Sequence, residues 1–331
     1  LIFFTQCLNN VINAVAGLWL VPHYVPQAEL GAVQPLMQIG TMLGIPLGIL
    51  ITPYTKLLNT HAAHGEYGKV KALLRDAMIL SAAASVITIA AAYLLMPRIF
   101  DFMRVQNGRL ALLIVFSSIV GAIGPIFTGA MQGLKRFRVY SLIGLFTAPI
   151  RFVTFLVALP IRGLTGYFVG QVSGPIFSII VSVIDFLRKF GRQVKCESYW
   201  KEDRVLFLSF LLPMAAMSLT GNIKGTGEMM IVRSLPDVES AAFYFLSRFS
   251  DIACYLSAPL MFVLFPLVSE KHETGKDTHR MLMQTMLFTL VSGALLAGAL
   301  MFGGKFIFSL NSIWTPYLPF AGLFGLMTIT T

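Results

Sequence analysis

Long apolar stretches alternate along the chain with short segments that hold most of the charged residues. Eight stretches contain no Asp, Glu, Lys or Arg: 30–55, 77–97, 110–134, 163–184, 205–223, 252–269, 281–304 and 306–331. Two more are 1–28 and 139–161, of which the second is interrupted only by Arg151. Each stretch is near or above the ~20 apolar residues that cross a bilayer as a helix. The pattern therefore predicts ten transmembrane helices, which we number spans 1 to 10 in chain order.

The composition agrees with this pattern. Hydrophobic residues make up 56% of the 331 residues and charged residues 12%, about half of the roughly 25% that is typical of soluble domains. We therefore predict an all-α, polytopic membrane protein of the cytoplasmic (inner) membrane. A water-soluble domain is excluded.

The net charge of +10 follows from where Lys and Arg lie. Sixteen of the 25 basic residues fall between spans 2 and 3, 4 and 5, 6 and 7, or 8 and 9, whereas five fall in the opposite segments. Cytoplasmic loops of membrane proteins are enriched in Lys and Arg, so the N-terminus is predicted to be cytoplasmic. Because topology explains the basic residues, no nucleic-acid partner is expected.

The most polar part of the chain separates six spans from the four that follow. We predict a two-lobe helical bundle with an N-terminal six-helix lobe (1–188), a cytoplasmic linker (189–204) and an incomplete C-terminal lobe (205–331). The chain starts without Met and stops within span 10. Further helices are therefore expected beyond its last residue.

Two pairs of ionisable residues lie at similar depth on neighbouring predicted helices. Lys224 and Glu228 are one turn apart at the end of span 7, and Arg248 and Asp251 are one turn apart before span 8. An ionisable side chain at membrane depth is costly unless it faces a partner or a water-filled cavity. The four residues therefore predict either a cationic site for an anionic head group, with a carboxylate for ion coupling, or two ion pairs that join the helices.

Arg151 is the single charged residue of span 5. It lies about halfway along the predicted helix, and no carboxylate is near it in sequence. An arginine at this depth favours a position on a cavity. The alternatives are snorkelling to the membrane interface and pairing with Asp185.

Uncharged amides occupy one face of span 1. Asn10 and Asn13 belong to this stripe, and Gln38 on span 2 is as far from the turn near Pro26 as Asn13 is. Amides donate and accept hydrogen bonds without a fixed charge. They suit sugar hydroxyls or ordered water in a cavity, and equally the hydrogen bonds that join membrane helices.

No motif for catalysis or metal binding was recognised. The five histidines are predicted in loops without the spacing of metal ligands, and the three cysteines are far apart. The sequence contains no P-loop, and its predicted external loops are too short for a catalytic domain. The chain is therefore predicted not to be an enzyme and to use no metal or cofactor.

Four segments carry a resemblance to a known family. They are GLKRFRVY (133–140), GLTGYFVG (163–170), AAFYFLSRFSD (241–251) and LFPLVS (264–269). In these segments the chain resembles the polysaccharide flippases, of the lipid-linked oligosaccharide or O-antigen type, in the multidrug/oligosaccharidyl-lipid/polysaccharide exporter superfamily. The resemblance spans essentially the whole chain and implies two six-helix lobes.

The resemblance also implies a function. A flippase of this kind moves a polyprenyl-diphosphate-linked oligosaccharide to the outer leaflet by alternating access, for export of cell-surface polysaccharide. Membrane lipids, a polysaccharide polymerase and other export components are the further partners implied. By this resemblance the phosphates would be held by the basic residues Arg151, Lys224 and Arg248. The sugars would be held by the amides Asn10, Asn13 and Gln38. The coupling ion would be held by the carboxylates Glu228 and Asp251.

Two other transported substrates stay open within the superfamily. A flippase of the peptidoglycan precursor lipid II would carry an arginine-rich first helix, where this chain has amides. A cation-coupled exporter of drugs or organic cations would favour intramembrane carboxylates. A membrane glycosyltransferase or polymerase is the alternative from another class, and it would need a large external loop.

Overall fold

The computed structural model describes residues 2–103, 108–134, 136–190, 195, 197, 199–252, 279–323 and 327. The described residues form helices and short connections, without a β-strand among them. The helices are α1 (Ile2–Val15), α2 (Val21–Tyr24), α3 (Gln27–Leu43), α4 (Ile45–Ala63), α5 (Tyr67–Met103), α6 (Gly108–Gly133), α7 (Phe137–Arg162), α8 (Leu164–Phe190), α9 (Trp200–Ser234), α10 (237–252) and α11 (His279–Ser309). The predicted all-α fold is confirmed.

Six of the described helices, α5 to α9 and α11, are long and apolar enough to cross a membrane. They correspond to spans 3 to 7 and span 9. Their apolar side chains are largely exposed, as on Val86, Leu112 and Phe302, because helices that face lipid need not bury them. The chain is therefore a multi-pass membrane protein, as predicted.

Spans 1 and 2 are not the single helices that the apolar pattern predicts. Span 1 is interrupted by a π-helical segment, Ala16–Leu20. Span 2 breaks at Gly44, between α3 and α4. Pro46 follows the break, and a proline lacks the N–H that would continue the helical ladder. Unbroken apolar composition therefore does not ensure an unbroken helix.

The prediction of a transmembrane helix for span 10 is wrong where the structure describes it. A turn follows α11, and Thr315–Leu323 form a 3₁₀ helix of nine residues. Pro316 and Pro319 lack the N–H groups that an α-helix would use. Most of span 8 lies outside the described residues.

The described contacts divide the chain into two compact units, residues 1–31 with 235–331 and residues 32–234. The predicted linker, 189–204, lies inside the second unit. The division into two six-helix lobes therefore stays a prediction, and each unit is described by itself.

Unit 32–234 contains a close helical hairpin. Its turn is at Gly163, whose φ of 51° lies in the left-handed region that glycine adopts readily. A Cβ at Gly166 would overlap the carbonyl of Ala158, and one at Gly170 would overlap the ring of Phe155. Small residues thus bring α8 directly against α7, as is usual between membrane helices.

The same unit has a buried apolar core at the end where α4 meets α5. Leu58 of α4, Leu73 of α5 and Phe207 of α9 are buried there, together with Tyr54 and Tyr199. The first turns of α9 therefore pack against α4 and α5 in this core. This arrangement fixes the position of α9 along α4.

Unit 1–31 with 235–331 is organised around the π-helical segment. A π-turn leaves backbone carbonyls outside the regular i to i−4 ladder, and two of them accept side-chain hydrogen bonds here. The hydroxyl of Tyr244 donates to the Gly17 carbonyl and the indole of Trp314 donates to the Leu18 carbonyl, both over 2.9 Å. These bonds join α10 and the turn after α11 to the first helix.

Candidate functional site

A cavity of about 460 Å³ lies within unit 32–234. Its lining is mostly apolar but includes several polar side chains, for which we call it the polar cavity. Helices α3, α4, α6, α8 and α9 supply its walls, and glycines at the break between α3 and α4 leave space for it. The polar side chains that line it are Thr41, Ser117, Ser118, Gln171, Ser218 and Asn222. Among the described residues that line it, all are uncharged. The lining can therefore exchange hydrogen bonds with an uncharged polar group.

Arg151 is linked to this cavity through a glutamine. Its Nη1 donates to Oε1 of Gln171 over 3.2 Å, and Nε2 of Gln171 donates to the hydroxyl of Tyr167 over 2.7 Å. Gln171 thus presents its amide to the cavity while a guanidinium fixes which way the amide points. Asp185, the predicted alternative partner, instead accepts a hydrogen bond from Arg136 over 2.5 Å.

Gln38 contacts Asn222, which lines the cavity. Its Nε2 donates to Oδ1 of Asn222 over 3.4 Å, and Nδ2 of Asn222 donates to the carbonyl of Ser218 over 2.7 Å. A Cβ at Gly225 would overlap the Gln38 amide. A glycine at this position therefore lets α9 approach the amide of α3.

The remaining predicted residues of this unit lie on α9. Glu228 is exposed. The side chain of Lys224 lies outside the described residues. The pairing of Lys224 with Glu228 therefore stays a prediction.

The other predicted residues belong to unit 1–31 with 235–331. Nη1 of Arg248 donates to Oδ2 of Asp251 over 2.9 Å, which gives the i, i+3 pair that the spacing predicts. The Arg248 guanidinium lies over the ring of Tyr244, 5.4 Å from its centroid. Asn10 is buried and Asn13 is half-buried on α1. The predicted site residues thus fall into both units.

A second cavity, of about 760 Å³, lies between α5 and α6. Its walls are apolar and include Ala92, Met96, Phe100 and Ile119. None of the predicted site residues lines it. Among its described lining residues Tyr93 is the one with a polar side-chain group, so the cavity is better suited to hydrocarbon than to a head group.

Sequence reasoning missed several residues of the polar cavity. Gln171 was not among the predicted site residues; the glycines near it, Gly170 and Gly174, pack closely against α7, and Gln171 itself lines the cavity. Asn222 was not singled out. Its signal was present, since an amide within an apolar run is the feature that identified Asn10 and Asn13.

Solved transporters share this fold. The inward-facing conformation of a multidrug resistance MATE family transporter of the MOP superfamily has a TM-score of 0.66 at 12% identity, over 97% of this chain and 78% of that chain. The outward-facing conformation of such a transporter has a TM-score of 0.62 at 13% identity, over 99% and 77%. A MATE protein in complex with MaD5 has a TM-score of 0.61 at 12% identity, over 99% and 78%.

No family model and no curated protein matches the chain. At 12–13% identity the solved structures show the fold, which is that of MATE transporters of the MOP superfamily. A likeness at this identity shows the fold alone. It does not separate polysaccharide flippases from multidrug exporters.

Proposed function

We propose that the chain is part of an alternating-access transporter that flips a polyprenyl-diphosphate-linked oligosaccharide across the cytoplasmic membrane. The observation that carries this proposal is the uncharged lining of the polar cavity, where amides and hydroxyls are available for sugar hydroxyls. The fold of known transporters supports the transport part of the proposal. The substrate part rests on the chemistry of the cavity.

Arg151 is the residue that we assign to the charged part of the substrate. Its bond to Gln171 places a guanidinium one side chain away from the cavity. A diphosphate entering the cavity can replace the glutamine as its acceptor, because guanidinium groups bind phosphate in bidentate geometry. The proposal includes Lys224 and Arg248 as further phosphate ligands, and Glu228 and Asp251 as coupling groups.

The topology belongs to the same proposal. The positive-inside distribution of Lys and Arg places the N-terminus and the loop between α4 and α5 in the cytoplasm. Two lobes, 1–188 and 205–331, would rock against each other about the cavity. Membrane lipids and the components of polysaccharide export are the proposed partners.

A multidrug or organic-cation exporter is the second candidate. The observation in its favour is the fold likeness to multidrug resistance transporters, which supports either function. A cavity for organic cations would gain from a carboxylate, and the described lining contains none. A lipid II flippase would differ from the first proposal only in the head group.

The test is head-group accessibility in cells that lack the gene. We expect the lipid-linked oligosaccharide to accumulate on the cytoplasmic side of these cells. Restoring the intact gene should return it to the outer leaflet. Arg151→Ala should lower export by roughly tenfold or more, because a hydrogen bond to a charged group contributes about 1.5–3 kcal/mol. Arg162→Ala, on the exposed last turn of the same helix, is the matched control. Normal export without the gene would refute the proposed function.

A further inference from the structure

His61 was predicted to lie in a loop, but it is a buried residue near the end of α4. Its Nδ1 is 2.5 Å from Oε2 of Glu66, in the turn before α5, and its Nε2 is 2.7 Å from Oδ2 of Asp203, in the first turn of α9. The side chain of His61 is 7% exposed, that of Asp203 16% and that of Glu66 40%. We call these three residues the His61 cluster.

The geometry of the cluster selects one protonation state. A neutral imidazole donates from one nitrogen and accepts at the other, whereas an imidazolium donates from both. Since each ring nitrogen faces a carboxylate oxygen, an imidazolium can donate to both Glu66 and Asp203 while the two carboxyls are ionised, and this state fits the geometry. A neutral ring would point a lone pair at one of the two carboxylates.

The hydrogen bond from His61 lowers the pKa of Glu66, with a further contribution from the charge of Lys69, whose Nζ is 3.4 Å from Oε2. A carboxyl whose pKa is lowered in the folded state stabilises that state above its unfolded pKa. The contribution is lost as the pH falls through the folded value. Glu66 therefore supports the cluster at neutral pH and ceases to do so only in acid.

Other ionisable groups lie around the cluster. Glu197 packs against Gly68 through its side chain, and its backbone N–H donates to the Gly68 carbonyl over 3.3 Å. Asp76 of α5 interacts with Tyr199, and burial raises the pKa of that phenol, which therefore stays neutral. Of the side chains in the cluster, histidine is the type whose charge ordinarily changes nearest neutral pH.

The cluster connects two parts of the chain that are 142 residues apart. Next to the cluster, the apolar core of Leu58, Leu73 and Phe207 holds α9 against α4 and α5. These apolar contacts do not change with pH. The His61 cluster is the polar edge of the same contact. Its loss would free the first turn of α9 before the core separates.

We infer that the His61 cluster is a protonation-dependent latch between the α4–α5 turn and the start of α9. The latch is closed while His61 is protonated and opens as rising pH removes that proton. The role of the latch in transport rests on the proposed function: in an alternating-access protein the latch would hold the cytoplasmic ends of the helices together. It does not depend on the transported substrate.

Spin labels at two exposed positions, Tyr67 on α5 and Val205 on α9, measure the opening directly by pulsed electron–electron distance spectroscopy. The purified protein, without its native cysteines and in lipid nanodiscs, is compared at about pH 6 and about pH 9, on either side of the ordinary histidine pKa near 6.5. We expect one short distance at the lower pH and an added longer distance at the higher pH. His61→Gln should raise the longer-distance fraction about tenfold at the lower pH and abolish its pH dependence.

His64→Gln is the matched control, because His64 is exposed and its Nδ1 bonds the local Thr60 carbonyl over 2.8 Å. It should keep the wild-type response, whereas Asp203→Asn, which preserves the shape of the side chain, should weaken it. The same distances at both pH values in the wild type would overturn the latch. So would a His61→Gln protein that behaves like the control. A missing flippase activity would leave these distances unchanged, so the two proposals fail separately.

Discussion

Gly225 and Gly221 provide a matched pair of substitutions for the polar cavity. Both glycines lie on α9, one helical turn apart. A Cβ at Gly225 would overlap the amide of Gln38, whereas no described atom beyond the local helix lies within 4 Å of a Cβ at Gly221. Gly225→Ala should therefore displace Gln38 from Asn222, and Gly221→Ala should displace nothing.

The expected magnitudes follow from these contacts. Alanine stabilises a helix by about 0.5–1 kcal/mol relative to glycine, and both variants gain this contribution. Gly225→Ala also loses the hydrogen bond from Gln38 to Asn222, which at 3.4 Å should contribute about 0.5–1 kcal/mol. Its stability should thus stay near that of the wild type, while Gly221→Ala should be more stable. The displaced atoms belong to the end of a flexible side chain, so the fold is retained.

Thermal unfolding in detergent and head-group accessibility in cells measure the two effects. We expect the melting temperature of Gly225→Ala to fall below that of Gly221→Ala, and its transport to fall about two- to fivefold, because Asn222 lines the cavity. Transport by Gly221→Ala should equal that of the wild type. Equal transport by the two variants would refute the assignment of the Gln38–Asn222 contact to the site.

Two further predictions concern α8. Gly166→Ala should destabilise the protein by about 1–3 kcal/mol and lower its melting temperature, since its Cβ would overlap backbone that cannot move aside. The control is Gly124→Ala, because a Cβ there meets no described atom beyond the local helix within 4 Å. This control should not lower the melting temperature. Gln171→Leu should lower transport about tenfold with the protein still folded, because it removes the acceptor for Arg151. Gln171→Glu keeps an acceptor for the guanidinium but loses the N–H that donates to the Tyr167 hydroxyl, which would have to donate to the new carboxylate instead. It should restore part of that transport; no difference between the two variants would contradict the role of Gln171.

The apolar pattern predicted most of the spanning helices because length and hydrophobicity are what a bilayer requires of them. It could not predict the break at Gly44 or the 3₁₀ helix after α11. Those features depend on which backbone N–H groups are present and paired, as Pro46 and Pro319 show. The apolar composition of a stretch does not indicate which of its backbone N–H groups are present and paired.

The candidate site was harder to predict, since it depends on contacts between distant parts of the chain. Arg151 was identified by its depth in span 5, but its partner Gln171, 20 residues away, was not among the predicted site residues. The contact of His61 with Asp203 spans 142 residues, and nothing in the local sequence marks it. A single residue out of place for its environment can be recognised in sequence, whereas its partner is fixed only by folding.

The most direct measurement of the central proposal uses the purified chain in lipid vesicles that contain a polyprenyl-diphosphate-linked oligosaccharide with a fluorescent sugar. A membrane-impermeant quencher added outside reaches only the probe in the outer leaflet. We predict that vesicles with the wild-type protein lose nearly all fluorescence, while vesicles without protein, or with the Arg151→Ala protein, keep the signal of the inner leaflet. Quenching at the protein-free level, in vesicles where the same protein takes up an organic cation, would contradict the flippase and establish the exporter instead.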